Sequence, residues 1–363
     1  MGRTFVSLLA VAVWALVAAI SSPAQADFKL AGPPKVAMIM YSPKDDKAWS
    51  EAFENARKKM EQDLGIKIAL VENIPENATA VRPAVELLIS KGVNIIIGTA
   101  FGYSDAFKEL AEKYPDVAFV NGAGTTNGPN LESFYGRTYE SQYLCGMAAG
   151  AASKTGKIGY VAPNPFGLVN WAINAFAMGA QQMNPKATVT VIYTGSWNDV
   201  VKERSAAVAL ADQGMDVLGQ HGATTATQMV AQERGIYATG HHLDLSALTP
   251  KAMLCTSSWV WDRLLTPIIA DIEKGTWKPN EYGFFASIKE GGTDISCCGP
   301  GVPADAVAKI QSERQAIIDG TKKVYAGPLK DRDGKERVPA GAVLSDADLW
   351  AMDWYVPGVV SQQ

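Results

Sequence analysis

The sequence predicts an α/β protein whose parallel, doubly wound sheets fall into two lobes. Three observations carry this. First, helical stretches repeatedly end in Gly or Pro-Asp with a short apolar run directly after: Gly65 before IKIALV, Gly92 before VNIIIG, Asp116 before VAFVNG, Gly156 before KIGYVA, Gly214 before MDVLGQ and Gly235 before IYATG. A glycine just past a helix supplies the left-handed residue that closes it. Second, these runs are apolar throughout rather than alternating, as in strands covered on both faces. Third, amphipathic segments of helical length, such as EAFENARKKMEQDL and VRPAVELLISK, lie between the runs, and strand–helix alternation repeated this often means parallel sheets.

In chain order, residues 1–26 come first. Arg3, the apolar stretch FVSLLAVAVWALVAAI and Ala24-Gln25-Ala26 have the pattern of a cleaved signal peptide. No cysteine stands near that cleavage site, so a lipid-anchored amino terminus is not expected. KVAMIM then opens a first series of four strand–helix units, to about residue 125. A second series opens at Lys157 and runs to about Gly240. SSWVWDRLLTPIIADIEKG, a strand GFFASIK and a helix DAVAKIQSERQAIIDG follow. The expected plan is an N-terminal lobe over 27–154, rejoined by part of 258–363, and a C-terminal lobe over 155–257 that takes the strand near 283–290. A turn-rich tail, 325–363, packs on one lobe. This is the plan of two lobes hinged about a cleft.

Composition narrows the function. The chain is 47% hydrophobic and 19% charged, with a formal net charge of −4, ordinary for a globular protein with ample core. An acidic balance argues against nucleic acid or an anionic membrane, which would call for a basic face. The four cysteines, Cys145, Cys255, Cys297 and Cys298, are too few for a disulfide scaffold. A bridge from Cys255 to Cys297 or Cys298 is one reading, and buried free thiols are the other.

In open parallel sheets ligands bind beyond the carboxyl ends of the strands. The residues there are Tyr41 to Trp49 with Asp45 and Asp46, Phe101, Asn121, Pro163 to Phe166, Trp197-Asn198-Asp199, Gln220-His221, His241, His242 and Asp244, and finally Lys289. Two tryptophans, a phenylalanine, amides and a few ionisable groups therefore converge, which suits a small planar molecule. A ring held between aromatic faces gains about 1–3 kcal/mol per stacked base, and carboxylates and amides at its edge distinguish one ring from another. The bland alternatives are that Trp49 folds onto the core and that Asp45 and Asp46 complement a helix dipole.

All three histidines, His221, His241 and His242, sit at the ends of consecutive strands. A metal site with Asp244 is conceivable, but neighbours on a strand point to opposite sides, so only one of the adjacent pair would face a common centre. A pocket histidine is the reading adopted, with no metal and no cofactor expected. No GxSxG, GxGxxG or P-loop motif is present, which favours binding over turnover.

KDDKAWSEAFENA resembles the (N/D)-D-(K/R)-S-F-N segment of the basic membrane protein (PnrA-like) family, the purine-nucleoside-type substrate-binding proteins of ABC importers. The resemblance continues through YLCGMAAGAASKTGKIGYVA, NAFAMGAQQMNP, YTGSWND against GSFxD, ALADQGMDVLGQHGATT, GIYATGHHLDLSAL and IKEGG against LK(D/E)GG, in family order. The tail is similar to a purine-binding branch. The resemblance implies a type I periplasmic binding protein fold, two Rossmann-like lobes joined by a hinge. It implies a ligand sandwiched by Trp49 and Trp197, with Asp46, its neighbour Asp45 and Lys289 at family ligand positions and Asn121 where an Asp is often found. Phe101, Asn198, His221 and Asp244 complete the expected site. The family's G-V-D-S-D, whose first Asp holds sugar hydroxyls, is here Gly240-His241-His242-Leu243-Asp244, which favours a bare base over a nucleoside.

The expectation is thus a periplasmic, monomeric, non-enzymatic carrier of a purine base, adenine or a relative, that hands it to an ABC permease. Alternatives are a nucleoside carrier, a sugar carrier, a ligand-sensing partner of a membrane receptor, and a His-centred metal hydrolase or deaminase.

Overall fold

The computed structural model describes residues 28–362; the expected signal peptide lies outside the described residues. The first lobe begins with β1 (Val36–Ile39), α1 (Trp49–Leu64), β2 (Ile68–Val71), α2 (Ala78–Ser90) and β3 (Ile95–Gly98). It continues with α3 (Ser104–Lys113), β4 (Ala118–Gly122) and β5 (Leu131–Gly136). Helix α4 (Thr138–Ala152) leads into the second lobe: β6 (Lys157–Ala162), α5 (Gly167–Met183), β7 (Thr188–Tyr193), α6 (Val200–Asp212), β8 (Val217–Gln220), α7 (Ala226–Arg234), β9 (Tyr237–His242) and β10 (Met253–Ser258).

The chain then returns. Helix α8 (Trp261–Lys274) packs on α1 and β11 (Phe284–Ala286) pairs with β5, before β12 (Asp294–Cys297) and α9 (Ala304–Ile318) go back to the second lobe. The remainder holds a hairpin of β13 (Leu329–Lys330) and β14 (Glu336–Val338), then α10 (Asp346–Trp350) and β15 (Val359–Gln362).

The first sheet has the order β11-β5-β4-β3-β1-β2 and the second β12-β10-β9-β8-β6-β7-β15. All pairings in both are parallel except β10 with β12. The glycines that signalled the alternation have the conformation it requires: Gly65 and Gly235 close α1 and α7 at φ 70° and 67°, and Gly92, Gly156 and Gly214 also have positive φ.

Two boundaries differ from expectation. The strand near 283–290 belongs to the first sheet, where β11 extends it in parallel beside β5, because a third crossing of the chain follows it. Helix α4, placed by the sequence in the first lobe, packs against α5, β10 and α9 of the second. Backbone contact explains the α4–α5 pairing: a Cβ on Gly146 would collide with the Phe176 carbonyl and one on Gly179 with the Tyr143 carbonyl.

The three crossings meet at a cluster of hydroxyls. Ser141 Oγ lies 2.7 Å from Ser257 Oγ and 2.8 Å from Thr293 Oγ1, and Thr293 Oγ1 donates to the Ser258 carbonyl at 3.0 Å. The tail lies along the second lobe. Asn174 donates to the Trp354 carbonyl and accepts from Val356 N–H, and β15 extends the sheet beside β7. Cys255 stands opposite Cys297 in the antiparallel register, so the proximity anticipated from sequence is real. The bond, however, joins Cys297 to Cys298, while Cys255 is a free thiol 2.9 Å from the buried thiol of Cys145.

Candidate functional site

Each sheet has a switch point, where strands leave in opposite directions: β1 lies between β2 and β3, and β6 between β7 and β8. The crevices beyond the carboxyl ends of these strands are where a doubly wound sheet takes a ligand. The two crevices face each other across the interlobe cleft. Together they border about 480 Å³ of space, open mouth included, lined from the first lobe by Tyr41, Trp49, Glu76, Phe101 and Tyr135 and from the second by Leu168, Trp197, His221 and His242.

Trp49 is the first residue of α1 and is 8% exposed. Its indole N–H donates to the Thr99 carbonyl at 2.6 Å, and its ring meets Trp259 and Trp261 edge-on at 5.2 and 5.6 Å. It is thus both core and wall. Trp197 sits in the loop before α6, half-buried, its ring 6.0 Å from that of Phe166; its carbonyl accepts from Ala223 N–H at 2.8 Å. Asp199 caps α6 through Val201 and Lys202 N–H, which holds the Trp197 loop at the helix start.

The polar groups of the second-lobe wall are nearly all buried. Trp259 Nε1–H donates to His242 Nδ1 at 2.8 Å, so the proton of a neutral His242 is on Nε2, which makes no hydrogen bond of normal geometry. His241 Nδ1 faces the Ser257 carbonyl at 3.3 Å, and the rings of His221, His241 and His242 follow one another at 4.6 and 4.0 Å. Strand alternation would have separated His241 from His242. The positive φ of His242, 77°, breaks that alternation and brings both rings together. Burial holds all three neutral: His241 is pushed down to about 3, and His221 and His242 well below the usual imidazole range, further depressed by the neighbouring histidine. Beneath the loop that carries His221 and Ala223, Glu203 is fully buried; burial pushes it up to about 7, offset in part by its hydrogen bond from Thr224 Oγ1 at 2.8 Å.

Of the sequence-predicted residues, the structure brings Trp49, Trp197, Phe101 and His221 together at the cleft and places the others elsewhere. Asp46 is spent on the start of α1, accepting from Ala48, Ser50 and Glu51 N–H and from Ser42 Oγ. Asp45 and Asn198 are exposed and outside the cleft lining. Asp244 is exposed and turns back on Ser246 N–H. Asn121 is buried behind the cleft and donates to the Ala100 carbonyl at 3.1 Å. Lys289 is exposed on a separate polar hollow with Arg137 and Glu140, because β11 carries it away with the first sheet.

Sequence reasoning missed Glu76, Tyr135 and Leu168. Glu76 lies beyond β2, in the loop before α2. Tyr135 lies in β5, whose segment LESFYG lacks a continuous apolar run. Among the described residues no group of three or more His, Cys, Asp or Glu is arranged to hold a metal ion.

Comparison with known proteins places this chain in a family. The family model for ABC transporter substrate-binding proteins, PnrA-like, matches residues 34–326. The chain belongs to that family. A purine-binding protein of Brucella abortus (strain 2308) is 35% identical over 328 residues, 90% of this chain and 92% of that one. A protein of Haloferax volcanii with a provisional ABC transporter glucose-binding name is 29% identical over 302 residues, 83% of this chain and 76% of that one. Among solved structures, a transcriptional activator of the comK gene from Bacillus halodurans superposes with a TM-score of 0.71 at 21% identity, covering 79% of this chain and 99% of that one. An ABC transporter solute-binding protein from Aeropyrum pernix K1 gives 0.69 at 17% identity, covering 83% and 95%. These structural likenesses establish the fold of the PnrA-like chain, two parallel-sheet lobes about a cleft. No helix among the described residues is long and apolar enough to cross a membrane.

Proposed function

We propose that this PnrA-like protein is an exported, periplasmic solute-binding protein that captures a purine nucleobase of the adenine type and delivers it to an ABC importer as a monomer, without making or breaking a bond. The observation that carries the reading is the placement of Trp49 and Trp197, from opposite lobes, on one cleft of about 480 Å³. A flat ring there stacks on Trp197 and lies against the aromatic floor around Trp49, and closing the lobes buries both its faces. Edge contacts come from Tyr41, Glu76, His221 and His242 rather than from the carboxylates first expected. The name of the Brucella relative supports a purine.

A bare base is favoured over a nucleoside. The position where the resemblance implies a sugar-binding Asp holds His242, whose Nδ1 is taken by Trp259, so no carboxylate is available there for a ribose diol. The test is titration of ligand-stripped protein with adenine, guanine, adenosine, ribose and glucose, followed by tryptophan fluorescence. Tight quenching by a free base, weak with adenosine and lost in Trp197→Ala, is the expected result. Equal or better binding of adenosine rejects the base preference, and a response to glucose but to no purine rejects the purine.

A further inference from the structure

The cleft does not end at the aromatic slot. Beyond Phe101, Tyr135 and Leu168, which line both spaces, it opens into a second chamber of about 1000 Å³ including its open mouth. Both lobes build this chamber: Tyr282 and Phe285 come from the first, Phe166 and Trp350 from the second. Between the spaces the Phe101 and Phe166 rings face each other across the lobes, centroids 6.2 Å apart and planes at 12°.

The chemistry of the second chamber is unlike that of the first. Among the described residues that line it, none is charged, whereas the first has Glu76 at its edge. Two of its polar side-chain atoms are already engaged with the protein: Asn127 Oδ1 accepts from Ser133 N–H at 2.8 Å, and Ser133 Oγ donates to the Thr126 carbonyl at 2.6 Å. Three of its aromatic rings are instead open to water. Phe101 is 37% exposed, Phe166 46% and Tyr282 87%. Clustered exposed aromatics around a concave surface mark a place where apolar area is to be covered. A phosphate would lose its hydration here without gaining a charged partner.

We propose that the second chamber is a subsite for an uncharged, apolar or aromatic substituent on the ring held in the first, so that the protein takes substituted as well as bare purines. This rests on the purine reading of the first chamber. The substituent passes the Phe101–Phe166 pair and is covered by Phe285 and Trp350 when the lobes close.

The experiment compares adenine with 6-benzylaminopurine and 9-benzyladenine by calorimetric titration of the ligand-stripped protein, in wild type, Thr125→Trp and Tyr282→Ala. Thr125 is exposed and lines only the second chamber, and its backbone N–H alone is used, donating to Ser104 Oγ, so a tryptophan side chain there fills the chamber and leaves the first untouched. At least one benzyl compound is expected to bind about tenfold or more tighter than adenine, the gain expected for burying a ring. Thr125→Trp should abolish that gain with adenine affinity unchanged, and Tyr282→Ala should reduce it. Adenine binding with both benzyl compounds excluded overturns the second chamber alone, as does a gain that survives Thr125→Trp. Failure of all three compounds to bind overturns the purine reading and this one with it.

Discussion

The two walls of the cleft are fixed in different ways. The first-lobe wall is set by hydrogen bonds to backbone: Trp49 is tied to Thr99, and the helix that carries it is started by Asp46 with three N–H groups. The second-lobe wall rests on buried titratable groups, three neutral histidines and Glu203, with Trp197 half-buried above them. The first wall is thus held by hydrogen bonds to backbone, while the second contains groups whose burial shifts their titration. Trp49 is packed into the core at the edge of the cleft, whereas Trp197 is half-buried on its opposite side.

Truncating the two tryptophans breaks the comparison most sharply. Trp49→Ala is expected to cost about 3–5 kcal/mol of folding stability, the range for a buried aromatic, read as a lowered midpoint in urea. Trp197→Ala should shift that midpoint little while weakening ligand binding by about 1–3 kcal/mol. Equal destabilisation by both would show that the walls are not divided as described.

Glu203 tests the second wall through pH. Its folded pKa lies above its unfolded value, so its favourable contribution is complete below pH 4.5 and is lost as pH rises through about 7. The histidines act in the opposite sense: their folded pKa values are depressed, so stability falls as pH drops below about 6.5, where the unfolded chain takes up protons. The stability difference between Glu203→Gln and wild type should therefore move in favour of the variant between pH 4.5 and pH 8, by up to about 3 kcal/mol. Parallel pH profiles for the two proteins would refute the role of Glu203.

Asp46→Ala sharpens the account of the first wall. It should lower stability by about 1–2 kcal/mol through loss of helix-start bonds, with bound-state fluorescence of the ligand complex unchanged. A large loss of affinity at unchanged stability would return Asp46 to the ligand. The smallest effect is expected of Lys289→Ala, which should leave ligand affinity unaltered, since that side chain lies on another hollow.

Much of the architecture was legible because it depends on local rules. KVAMIM, VNIIIG and VAFVNG form buried parallel strands, and Gly65 and Gly235 close helices in the left-handed conformation. The strand-end rule found Trp49, Phe101, Trp197 and His221, because the carboxyl ends of parallel strands share one side of a sheet. It failed at Lys289, since nothing in IKEGG records to which sheet its strand is added. It failed also at Asp46, Asp45 and Asp244, where a carboxylate near a strand end served as a helix or turn partner or faced solvent.

The sequence by itself therefore determined the class of fold, the two series of strands and the side of each sheet on which the cleft opens, because helix closure, apolar continuity and strand polarity act over a few residues. Only the tertiary structure decided the rest. Which lobe receives α4 and β11 depends on packing across crossings far apart in the chain. The meeting of His241 and His242 depends on one positive φ, the tautomer of His242 on a bond from Trp259, and the titration of Glu203 on its burial beneath the His221 loop. Each of these is set by a neighbour in space, and strand and helix periodicity hold no record of it.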